Sequence, residues 1–166
     1  MLTEEIKKDL VSAQKERNEM TVSVLRMLIA AIVNKQKDKR LHIAAKYPLL
    51  SETELDEQEE LADEETKEVL ASEMKKRRDS VASFEKGGRN DLAEKEKEEI
   101  EIIKKYLPPE MSEEEIRLAV KEAIAKVKPE GPQGFGAVMK ELVPKTRGRA
   151  DGFLVSKIVK EEMNIN

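Results

Sequence analysis

The 166 residues contain no cysteine and no tryptophan, and only three phenylalanines and two tyrosines. Without cysteine there is no disulfide framework, no thiolate nucleophile and no cysteine-ligated zinc. Seven glycines and six prolines are too few for a linker-rich or low-complexity chain. Scarce aromatics beside abundant Glu, Lys, Ala and Leu exclude an all-β protein. No apolar run approaches the ~20 residues that span a bilayer. The most apolar stretch, Val24 to Val33, is short and interrupted by Arg26. The opening MLTEEIKKDL lacks the basic-then-apolar layout of a signal peptide, so a soluble, cytoplasmic protein with no membrane association is expected. Charged residues make up 40% of the chain, and the net charge is −4. Any nucleic-acid binding must therefore come from a local basic face.

What is present is helical periodicity and, at 39% hydrophobic residues, enough apolar material for a core. Seven helices are expected. The first starts at Thr3 as N-cap, carries Ile6, Leu10 and Ala13 inward, and breaks at Asn18 and Glu19. The second begins near Met20 and is apolar almost all round to Val33, the pattern of a bundle centre. It continues as a solvated basic extension through Lys35, Lys37, Lys39 and Arg40 towards Pro48. A third, capped by Ser51 or Thr53, opens on nine acids between residues 51 and 65. It carries the seam Leu70, Met74, Arg77, Val81, Phe84 and ends at Gly87-Gly88.

Asn90 caps a fourth helix, with Leu92, Ile100, Ile103 and Leu107, that Pro108-Pro109 stops. Ser112-Glu113-Glu114-Glu115 is a capping-box start, with Met111 and Ile116 placed as a hydrophobic staple. Its helix faces Ile116, Val120, Ala123, Ile124 and Val127 inward. After the turn at Lys128 to Pro132, a short helix with Phe135, Val138, Met139 and Leu142 closes near Pro144. Asp151 caps the last one, whose apolar set is Phe153, Leu154, Val155, Ile158, Val159 and Met163.

The two prolines followed by a fresh helix start place a domain boundary there, giving residues 1–109 and 110–166. Charge shifts with it. Residues 132–160 hold six bases, among them Lys140, Lys145, Arg147 and Arg149, against the two acids Glu141 and Asp151.

Motifs of catalysis are sparse. His42 is the single histidine and has no cysteine or second histidine to join it, so a surface or half-buried role is the default. No serine sits in a G-x-S-x-G elbow. The acids of 51–65 lack calcium-loop spacing; they suit a solvated face or a docking surface for a basic partner. Arg77 on a core seam suits an arginine whose stem covers apolar surface and whose head pairs with a carboxylate; an RNA-facing role is the alternative. Gly131, Gly134 and Gly136 match neither dinucleotide nor Walker fingerprints. The stretch Pro144 to Gly152 combines glycines, three bases and an adjoining helix N-terminus, a combination able to present guanidinium and backbone N–H groups to phosphates. No catalytic residue, metal ligand or cofactor site is assigned.

Five stretches then stand out together: Leu25–Asn34 (LRMLIAAIVN), Lys76–Arg89 (KRRDSVASFEKGGR), Tyr106-Leu107-Pro108, Gly134–Lys140 (GFGAVMK) and Gly148–Gly152 (GRADG). In this order and spacing the chain resembles the GatB/YqeY family, and most of all its stand-alone YqeY-like members. The resemblance implies an all-α protein, with an N-terminal long-helix bundle and a small C-terminal three-helix unit. It implies kinship to the tail of the B subunit of glutamine-dependent tRNA amidotransferase, a carbon–nitrogen ligase whose tail contacts the tRNA body. The cradle-sized segment, cysteine-based zinc site and Ser-Ser-Lys amidase arrangement of that enzyme are missing from this sequence.

Only tRNA contact carries over, onto Lys140, Lys145, Arg147 and Arg149. The function expected is thus a tRNA- or RNA-binding accessory module. A protein-interaction adaptor using the acidic segment 51–65 is the alternative, and a component completing an amidotransferase in trans is a third reading.

Overall fold

The computed structural model describes residues 1–165. The described residues form eight α-helices and one short 3-10 turn, with no strand, so the protein is all-α. The chain divides into two compact units, Met1–Tyr106 and a second beginning at Leu107.

The first unit holds α1 (Leu2–Lys15), α2 (Glu19–Lys46), α3 (Glu52–Glu59), α4 (Asp63–Lys86) and α5 (Asn90–Lys104). Asn18 starts α2 by accepting the Thr21 N–H at 3.0 Å, which satisfies one of the donors a helix start leaves open. Val24, Leu25, Leu28 and Ile32 of α2 are buried. They occupy the middle of the bundle, because α2 packs on all four other helices of the unit. Truncating Leu25 or Leu28 to alanine, each fully buried, should cost about 2–5 kcal/mol. Helices α4 and α5 form a hairpin. Gly88 turns it at φ +72°, a dihedral that glycine adopts without steric cost, and the Arg89 N–H reaches back to the Phe84 carbonyl at 2.9 Å.

The second unit holds α6 (Glu113–Val127), a 3-10 turn at Pro132–Gly134, α7 (Phe135–Thr146) and α8 (Gly152–Glu162). Its core is Ile116, Val120, Val138, Leu142, Val155, Ile158 and Val159. Ser112 and Glu115 form the expected capping box, with the Ser112 N–H donated to Glu115 at 2.7 Å and the Glu115 N–H to Ser112 at 3.2 Å.

Five local expectations are corrected. The run from Ser51 to Gly87 is two helices, not one, so the count is eight. Glu60 turns extended and Leu61 is buried at 3% exposure. That turn sends a second leucine of the acidic stretch inward after Leu55, which is also buried, and the Ala62 N–H is then taken by the Glu65 carboxylate at 2.9 Å.

Thr3 is not the cap of α1; the Leu2 N–H donates to Asp63 instead. Arg89, not Asn90, precedes α5, and no side chain caps it. Pro144 lies inside α7 rather than closing it; so near the helix end its missing N–H removes one bond only, and the Thr146 hydroxyl donates to the Leu142 carbonyl at 3.0 Å.

The basic extension of α2 is not simply solvated. Arg40 pairs with Glu52, Asp56 and Glu59, and Lys39 with Glu65 at 2.7 Å. Four of the nine acids of 51–65 are thus partners of α2.

Candidate nucleic-acid interface

The candidate stretch spans the end of α7 and the start of α8. The Arg147 N–H bonds to the Val143 carbonyl at 3.0 Å, and the N–H groups of Arg149 and Ala150 both bond to the Thr146 carbonyl, at 3.0 and 2.9 Å. Gly148 supplies the left-handed turn at φ +69°. The backbone of Arg149 is then fixed from the other side, because the Met111 N–H donates to its carbonyl at 2.7 Å. Asp151 ends the turn by accepting the N–H groups of Phe153 and Leu154 at 2.9 and 3.0 Å. The N-terminus of α8 therefore already holds a carboxylate, and the expected offer of its backbone donors to a phosphate is withdrawn.

The four candidate bases are spread over α7 and the turn that follows it. Lys140 is exposed on α7. Five residues on, at 100° per residue, Lys145 lies about 140° around the same helix and pairs with Glu122 of α6 at 2.9 Å. Arg147 and Arg149 sit in the turn. Arg149 donates its Nε–H to the Pro109 carbonyl at 3.2 Å, and Arg147 is exposed with its own partner. Two of the glycines upstream are structural: Gly131 turns at φ +69°, and a Cβ on Gly134 would lie 2.2 Å from that of Pro129.

Phe153, one of the apolar set of the last helix, is 81% exposed in the first turn of α8. The helical spacing accounts for it. Val155, Ile158 and Val159 define the buried stripe of α8, and position 153 lies about 200° from Val155.

Electrostatics across the unit are mostly internal. Arg117 of α6 binds Glu113 at 2.8 Å and Glu161 and Glu162 of α8 at 2.9 and 3.3 Å, and the bonds to Glu113 and Glu161 push its pKa up. Lys126 binds Glu141 at 2.6 Å. Hydrogen bonds from the backbone and hydroxyl of Ser112 hold the Glu115 carboxyl below the ordinary carboxylate range, and the charge of Arg149 adds to the effect.

Elsewhere, Arg77 is 15% exposed and its Nε–H donates to Glu99 at 3.0 Å, with Glu73 at 3.5 Å. It joins α4 to α5. His42 is exposed, with Nδ1 3.2 Å from the Asp38 carbonyl. Among the described residues no three His, Asp or Glu side chains are placed to hold a metal ion, and no helix is long and apolar enough to cross a membrane.

Comparison with known proteins adds the lineage. A family model described as Yqey-like protein matches residues 3–163. The curated relatives carry the name "Altered inheritance of mitochondria protein 41, mitochondrial". The one from Lachancea thermotolerans is 33% identical over 130 residues, covering 76% of this chain and 60% of that protein. The one from Candida glabrata is 31% identical over 170 residues, covering 96% and 83%. The one from Clavispora lusitaniae is 30% identical over 144 residues, covering 85% and 74%. This chain thus spans three-fifths of the length of the first of these relatives. The cytoplasmic placement expected from the sequence is overturned by these relatives, which are named as mitochondrial. A charged, soluble composition reports an aqueous surrounding and not which compartment supplies it.

Proposed function

The chain belongs to the YqeY-like family, and on that premise we propose that it is an RNA-binding accessory module, akin to the tail of tRNA-dependent amidotransferase, that holds tRNA through its second unit. The observation that carries this reading is Phe153. An aromatic ring 81% exposed gives up the stabilisation that burial would supply, roughly 1.5–3 kcal/mol. It follows directly on a turn bearing Arg147 and Arg149. An exposed aromatic ring and arginines a few residues apart in the chain supply the two kinds of contact, stacking and charge, by which an unpaired base and its phosphates are held. Lys140 and Lys160, both exposed, add positive charge on the same unit. The contacts serve to position RNA, and the reading asks only for an aqueous compartment that contains tRNA.

The adaptor alternative loses ground, because Glu52, Asp56, Glu59 and Glu65 are occupied by Arg40 and Lys39. The test is sequencing of RNA crosslinked to the protein in cells, for wild type and Phe153→Ala. Enrichment of tRNA that falls in the variant supports the reading. No tRNA above background, with no salt-sensitive tRNA binding by the pure protein, would hand the function to the adaptor.

A further inference from the structure

A second feature lies in the first unit, at the corner where α1 passes into α2. A cavity of about 500 Å³ opens there, lined by Gln14, Arg17, Glu19, Val22, Ser23 and Arg26. The four lining residues on α2 recur at i, i+3, i+4 and i+7, one face of the helix. Gln14 and Arg17 close the corner from the end of α1.

The two arginines are unlike the rest of the chain's arginines. With more acids than bases in the sequence, every other arginine has a hydrogen-bond, ion-pair, ring or electrostatic partner. Among the described residues the guanidinium groups of Arg17 and Arg26 have none, and they line the same cavity. Glu19 lines it too without pairing with either, and leaves the lining with one net positive charge. Arg17 is also held at φ +57°. The Asn18 N–H bonds to the Ala13 carbonyl at 3.0 Å, so this is the left-handed closing position of a helix, where glycine is the least strained residue. A guanidinium stands where glycine would stabilise the fold.

We propose that this corner is a phosphate-binding site. Arg17 and Arg26 offer planar forks suited to phosphate oxygens, and the Gln14 amide and the Ser23 hydroxyl add neutral donors. Carboxylate ligands have fewer oxygens to engage two forks and two further donors. The phosphate reaches the site either on a small phosphorylated molecule or on a polynucleotide backbone. Arg26 lies in the stretch Leu25–Asn34, to which the tRNA reading gives no role.

Calorimetry of the full chain with inorganic pyrophosphate at low salt tests the site. Saturable binding is expected, weakened about tenfold by Arg26→Gln and by Arg17→Gly, since each removes charge-assisted hydrogen bonds. Arg17→Gly should at the same time raise the melting temperature, by about 2–4 °C, so that loss of binding cannot be ascribed to unfolding. Parallel titrations with ATP and with bulk tRNA separate the sources. If the double variant, Arg17→Gly with Arg26→Gln, loses pyrophosphate and ATP but keeps tRNA, the ligand is a small molecule. If it also loses tRNA, the ligand is a polynucleotide. No binding of pyrophosphate to wild type, or equal binding to the double variant, overturns the site. Arg147→Ala with Arg149→Ala leaves pyrophosphate binding unchanged, so this site and the tRNA reading stand or fall separately.

Discussion

The carboxylate of Asp63 accepts the backbone N–H of Leu2 at 2.8 Å. The first turn of α4 thereby caps the first turn of α1 from 61 residues away. The Thr66 hydroxyl lies 3.4 Å from that of Thr3 in the same place, and Thr66 is fully buried. Two helix starts are thus locked side by side. Asp63→Ala should destabilise the protein by about 1 kcal/mol, the usual worth of a helix cap, while Asp63→Asn should keep most of it. Urea unfolding curves decide the matter: an alanine variant with an unchanged midpoint would remove the long-range cap.

That contact shows where sequence reading stops. Helix existence was legible, because apolar residues at helical spacing mark each buried stripe, and so were the capping box at Ser112 and the glycine turn near Gly88, because those signals are local. The cap on Leu2 was not, because Asp63 is remote in sequence and Thr3 is a competent local candidate. The break at Leu61 was hidden for a related reason: no glycine or proline marks it, and only the core of the folded unit rewards turning that leucine inward. Arg40 and the acids of α3 read separately as a solvated extension and a solvated face; only the fold makes them partners. At the candidate interface the four bases were visible as residue types. The separation of Lys140 from Lys145 around α7 and the occupation of the α8 N-terminus by Asp151 are properties of the fold.

Acid should loosen the junction between α3 and α4. The Glu65 carboxyl sits below its ordinary value of 4.5, chiefly through the hydrogen bond from Lys39 and then the one from the Ala62 backbone. Its folded pKa is depressed, so the folded state binds fewer protons than the unfolded state. The resulting stability is fully present above the ordinary carboxyl range and is lost as the pH falls through the lower folded value. Glu65→Gln should lower stability at pH 7 and make it less dependent on pH between about 5 and 3. Equal acid limbs for wild type and variant in thermal melts would contradict this.

Proteolysis should strike two segments first. Leu49 is 98% exposed in the turn between α2 and α3, so thermolysin is expected to cut there. Between α5 and α6 no helix covers residues 105–112. Met111 is tied to Arg149 by its N–H, so cleavage should fall at residues 107–110 rather than beyond. We propose that residues 1–109 and 110–166 are separate domains, and a cut at this junction that releases a helical C-terminal fragment would support the division. If the fragment is unfolded by circular dichroism, the second unit does not fold alone and the two-domain proposal fails.

The arginine turn carries the sharpest prediction for RNA. If Arg147 and Arg149 each neutralise a phosphate, replacing both with alanine should weaken tRNA binding and lower the slope of log affinity against log salt by roughly 1.4–1.8. Arg149 needs its own control, because its Nε–H also holds the Pro109 carbonyl, and its loss can loosen the approach to α6. Arg149→Lys keeps the charge and removes that Nε–H. A charge-driven contact predicts that the lysine variant retains the salt slope even where its melting temperature falls with that of the alanine variant. A structural role for Arg149 predicts that both variants lose affinity in proportion to their loss of stability. Lys140→Ala extends the map to the outer face of α7: a further drop of up to one unit in slope would place that face against the RNA, whereas no drop would confine the contact to the turn and Phe153. Were the double alanine variant to bind tRNA with wild-type affinity and wild-type salt dependence, this turn would not be the interface.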